Sequence, residues 1–164
     1  MKRILALAVV AAACAWALYA LVYRPLSCNW KLDALRNRTN GASQTVRDYQ
    51  IAVLARQNLT DLRRCEDACG TNVLLYMLEA ENEALLGDKE AAIATLRKGL
   101  TVDQRPEIHM NIGMLLLEMG RLDEAVNEYA IAVRFTPKNL ETIYDPEILR
   151  RIQERLQQIK ARPK

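Results

Sequence analysis

The chain has 164 residues with a formal net charge of +3; 51% are hydrophobic and 26% charged, the composition of one folded domain of modest size without a disorder bias. Lys and Arg alternate with Asp and Glu everywhere beyond residue 30, so no face is basic enough to bind nucleic acid on electrostatic grounds. An aromatic content of 5% leaves few platforms on which sugars stack.

In chain order, MKR precedes ILALAVVAAACAWALYALVY, residues 4–23, which hold no charge, Gly or Pro. As a helix rising about 1.5 Å per residue this run covers roughly 30 Å, the depth of a bilayer core. Lys2 and Arg3 place the amino terminus in the cytoplasm, and Trp16, Tyr19 and Tyr23 fall where an aromatic belt forms at the far interface. Residues 1–23 are therefore expected to be a single-pass signal anchor, with the remainder of the chain outside the cytoplasm. Lipidation at Cys14, after AAAC, and ordinary signal cleavage stay open, although the apolar run continues for nine residues past Cys14. Arg24 and Pro25 are expected to end the helix, leaving 24–42 as a juxtamembrane linker with one short helical turn at WKLDALRN and a break at Asn40-Gly41.

From Ser43 onward apolar residues recur at helical spacing and no stretch alternates at period two, which predicts an all-α domain over 43–164. GDKEAAIATLRKGLTVDQ at 87–104 recurs as GRLDEAVNEYAIAVRFTP at 120–137, pairing Gly87 with Gly120, Ala92 with Ala125, Ile93 with Val126, Leu96 with Tyr129, Gly99 with Ala132 and Leu100 with Val133. Each glycine follows another amphipathic segment, so the unit is helix, glycine turn, helix, with small residues at 80, 92, 99 and at 113, 125, 132 where two helices cross closely. One such hairpin cannot bury its apolar face alone and must stack on neighbours.

These positions resemble the tetratricopeptide repeat. Residues 106–137 carry Gly113, Gly120, Ala125, Tyr129, Ala132 and Pro137 at the motif positions; residues 73–104 carry Tyr76, Ala80, Gly87, Ala92 and Leu100, with Gln104 where the motif has Pro. The resemblance implies repeats at about 73–105 and 106–138, with residues 43–68 as the second half of a repeat merged into one long helix. Residues 145–161 are read as a capping helix opened by Asp145 and Pro146. The layout resembles small membrane-anchored repeat proteins of the bacterial periplasm. It implies an inner-membrane location and a binding scaffold rather than an enzyme.

No phosphate loop, HExxH motif or serine elbow is present, and the one histidine, His109, falls at a packing position. Neither a catalytic site, a metal site nor a cofactor is expected. Cys65 and Cys69, four apart before Gly70, are the expected disulfide if the helix end unwinds; a Cys28 bridge to either, free thiols, and a zinc site with His109 stay open. A redox role for Cys65 and Cys69 is the rival function. Glu79 and Glu83, one turn apart, are candidates for a cation or for pairing with Arg63 and Arg64.

In the repeat family the first helix of each hairpin lines a concave groove. By matching positions that groove would be lined by Leu74, Met77, Leu78, Glu81 and Leu85, then Glu107, Met110, Asn111, Met114 and Glu118. Methionines give an adaptable surface, and Asn111 is placed to bond a partner's backbone. The competing expectation is that the C-terminal helix fills this groove. The reading is thus a membrane-anchored, non-enzymatic scaffold, an accessory or assembly subunit of an inner-membrane or cell-envelope complex. It contacts a protein partner through the groove and lipid through the anchor, with neither nucleic acid nor a small-molecule substrate.

Overall fold

The computed structural model describes residues 2–43, 48–69 and 72–161. Among them are eight α-helices and no strand: α1 (Lys2–Leu18), α2 (Arg24–Ser43), α3 (Asp48–Cys69), α4 (Val73–Leu85), α5 (Lys89–Val102), α6 (Pro106–Glu118), α7 (Leu122–Phe135) and α8 (Pro146–Ala161). A π turn at Tyr19–Tyr23 joins α1 to α2, and a 3₁₀ stretch at Pro137–Thr142 precedes α8. From α2 onward each helix packs on the next, giving a TPR-like array of helical hairpins closed by one terminal helix.

The two sequence repeats are the hairpins α4–α5 and α6–α7, and they turn by one mechanism. Gly87 and Gly120 adopt φ of 84° and 75°, a conformation open to glycine without a Cβ penalty. The turn lets Asp88 N–H reach the Glu83 carbonyl at 3.0 Å and Arg121 N–H reach the Leu116 carbonyl at 2.9 Å, satisfying helix-end carbonyls in the same way twice. Ala80, Ala92, Ala125 and Ala132 are all buried, as close helix crossing requires. Gly113 marks the tightest crossing, since a Cβ there would stand 2.7 Å from the ring of Tyr129. Ile93, Leu96, Ile108, Ile112 and Leu116 fill the shared core, which extends to Ile148 and Ile152 of α8. Helix α8 starts as expected: Pro146 occupies its first position and the Asp145 carboxylate accepts from the N–H groups of Glu147 and Ile148 at 2.9 and 3.2 Å.

The amino-terminal third departs from the sequence expectation. Residues 24–43, read as a linker, form α2, and the chain stays helical from the apolar run through Pro25 and through Asn40-Gly41. Proline has no N–H to give the helix ladder, and the π turn changes that ladder just before it, with Arg24 N–H bonding the Tyr19 carbonyl five residues back. Pro25 then lies in the first turn of α2, where a missing N–H is tolerated.

Helix α2 packs against α3 and α4 through Cys28, Leu32 and Leu35, which form a second core with Leu62, Cys65, Leu75 and Leu78. A buried polar network fastens the three helices. Asn58, 0% exposed on α3, donates to the Thr39 hydroxyl at 3.0 Å and to the side-chain amide oxygen of Asn82 at 3.1 Å. Asn82 in turn donates to the Leu78 carbonyl at 2.7 Å, and Thr39 to that of Leu35 at 3.1 Å. Arg38 closes the rim by donating to Asn58 at 3.3 Å and to Asp61 at 3.1 Å. Because each member is bonded, the burial of these amides is compensated.

Candidate functional site

The first helices of successive hairpins, α2, α4 and α6, face one groove of about 520 Å³. Its walls are Leu74, Met77, Leu78, Glu81 and Leu85 of α4, and Asn111, Met114, Leu115 and Glu118 of α6, over Leu96 of α5. Eight of the ten residues expected from sequence thus share one surface. Glu107 and Met110 are not among its walls, and Met110 packs against the main core instead. Leu78 is buried and forms the floor, whereas Met114 is 48% and Leu85 38% exposed. Helix α8 packs on α7, so the C-terminal helix does not fill this groove.

Arg36 of α2 completes the groove, a residue that a linker over 24–42 leaves out. The missed signal is Cys28, Leu32, Leu35 and Thr39, buried at spacings of four, three and four, a helical core stripe within a polar segment.

The charges at the groove are unequal in their pairing. Lys89 donates to Glu118 at 2.8 Å, and Arg36 stands 3.7 Å from Asp33. Glu81 has neither a hydrogen bond nor an ion pair among the described residues. Its carboxyl is pushed above the usual range by partial desolvation beside the groove walls, offset in part by the Arg36 charge, although the residue as a whole stays exposed. The Asn111 amide likewise makes no hydrogen bond among the described residues.

Other candidates lie elsewhere. His109 is buried, with Nδ1 2.7 Å from the Glu128 carboxylate and its ring stacked on Phe135 at 6.2 Å, a packing role. Glu79 is raised above the usual carboxyl range first by burial and then by Glu83 and Glu66; Lys98 and Arg63 act against this, while Arg64 pairs with Asp61 instead.

The cysteine expectation is corrected. Cys65 is a free thiol, buried in the leucine cluster, and Cys28 is disulfide-bonded. The expected Cys65–Cys69 bridge needed the helix end to unwind, but α3 stays helical through Cys69, whose side chain lies outside the described residues.

The helix over Val10–Asn40 contains a stretch long and apolar enough to cross a membrane, and the rest of the chain buries none of it.

Comparison with known proteins agrees with the fold. Residues 106–139 match the family model of the tetratricopeptide repeat. Among solved structures, a thermophilic TPR protein of Thermus thermophilus is similar at 26% identity, covering 86% of this chain and 69% of that one with a TM-score of 0.64. The type III secretion chaperone SycD of Yersinia enterocolitica, solved with a peptide of the translocator YopD, aligns at 18% identity over 78% of this chain and 93% of that one, TM-score 0.49. No curated protein matches the chain.

Proposed function

We propose that the chain is a non-enzymatic, membrane-anchored interaction scaffold, an accessory or assembly subunit of an inner-membrane or cell-envelope complex. The apolar segment before Tyr23 crosses the bilayer with its amino terminus in the cytoplasm, and the helical domain lies in the periplasm. The observation that carries this reading is that one continuous helix supplies both the apolar segment and, through Arg36, a wall of an open apolar groove. Arg36 lies 13 residues beyond Tyr23, about 20 Å along a helix axis. A groove held at that height, without a linker, favours a partner that is itself embedded in the membrane. Confinement to that layer raises the effective concentration of such a partner, so a weak groove is still occupied. The disulfide at Cys28 suits an oxidising compartment.

The test is mild-detergent purification of the tagged full-length chain beside a Met77→Ser, Met114→Ser variant. The expected result is one stoichiometric membrane protein held by the wild type and lost from the variant. Retention by both would move the contact off the groove.

A further inference from the structure

Any occupant of the groove meets Leu74, Met77 and Leu78 on one side of Glu81 and Leu85 on the other, and it covers Glu81 as it settles. Lys89 is the counterion of Glu118, and Arg36 stands 3.7 Å from Asp33 while its charge also acts on Glu81 from beyond ion-pair distance. Glu81 has no counterion within ion-pair distance among the described residues. Covering a carboxylate that has no ion-pair partner with apolar groups carries a desolvation penalty that dispersion contacts do not return, whereas a partner cation removes the penalty and adds a charge-assisted bond. The carboxylate therefore selects against a wholly apolar segment and against an anionic one, and the leucines and methionines on both sides select against a wholly polar one.

We infer that the groove recognises a partner-protein segment in which one Lys or Arg is flanked on both sides by large apolar side chains, the cation pairing with Glu81. The Asn111 amide, on the facing wall and without an internal hydrogen bond, holds the backbone of that segment. This inference rests on the groove being the docking surface, and its test separates the two.

The full-length chain in phosphatidylcholine nanodiscs is panned against a random dodecamer phage library. Enriched peptides are then made with a fluorescent label and titrated by anisotropy against wild type, Glu81→Gln, Glu81→Lys, and the Met77→Ser, Met114→Ser variant. Glu81 is solvent-reachable, so its variants are expected to keep the wild-type melting curve. The expected peptides carry a Lys or Arg between apolar residues, lose about tenfold in affinity for Glu81→Gln, and bind Glu81→Lys better when their cation is changed to Glu. Peptides sensitive to the methionine variant but indifferent to Glu81 would overturn the inference and leave the groove reading standing. Indifference to both would remove both. Groove-dependent self-association of the chain in place of peptide binding would also overturn the inference.

Discussion

The hairpin α2–α3 and the hairpin α6–α7 fill the same architectural role with different chemistry. The carboxy-terminal one is fastened by shape: alanines and Gly113 let the helices close, the ring of Tyr129 lies against Gly113, and Ile108, Ile112 and Leu116 fill what remains. The amino-terminal one adds to its apolar core a buried hydrogen-bond network, in which Asn58 of α3 bonds to side chains of α2 and α4. Shape packing tolerates volume-conserving exchange, whereas a buried amide network tolerates loss of no member. The hairpin that continues the apolar helix is thus the one whose geometry is also fixed by directional bonds.

The largest expected effect on this contrast comes from Asn58→Ala. It strands Thr39 and Asn82 in a buried site and should lower stability by about 3 kcal/mol in urea unfolding. Gly113→Ala follows, at about 2 kcal/mol, because the Tyr129 ring stands 2.7 Å from the added carbon. Gly87→Ala is its control: nothing lies within 4 Å of the added carbon, so only the positive φ is penalised, at about 1 kcal/mol. Equal losses at the two glycines would contradict the shape-packing account of α6–α7.

The smallest effect is electrostatic and fades in acid. Glu147 is held down to about 2 by hydrogen bonds from Arg150 and then Arg151. A carboxyl lowered in the folded state adds stability above its ordinary pKa and loses it as pH falls toward the folded value. Glu147→Gln should therefore be slightly less stable than wild type at neutral pH, with the two melting curves converging as pH approaches 2.

The same contrast explains what the sequence disclosed. Repeats built on shape leave a residue code, glycine at the turns and small residues at the crossings, so α4 to α7, the α8 cap and most of the groove were legible. A helix whose short core stripe of Cys28, Leu32, Leu35 and Thr39 lies among polar residues looks like linker. Pro25 reinforced that reading, because the rule that proline ends a helix does not foresee a π turn placed just before it. Arg36 was lost from the groove as a consequence. The Cys65–Cys69 expectation failed on a different physical ground: four-residue spacing suggested proximity, but α3 remains helical and Cys65 packs among leucines. Glu81 was legible as a groove residue, whereas its lack of an ion-pair partner was not, since pairing is a property of the assembled surface.

The most direct test of the central claim is site-specific photo-crosslinking in native membranes, with the photoreactive residue placed at Met114 in the groove or at Tyr144, which is 89% exposed and outside it. The account predicts an adduct with a single membrane protein from position 114, abolished by Met77→Ser, and none from position 144. The same adduct from both positions, or one from 144 alone, would contradict it.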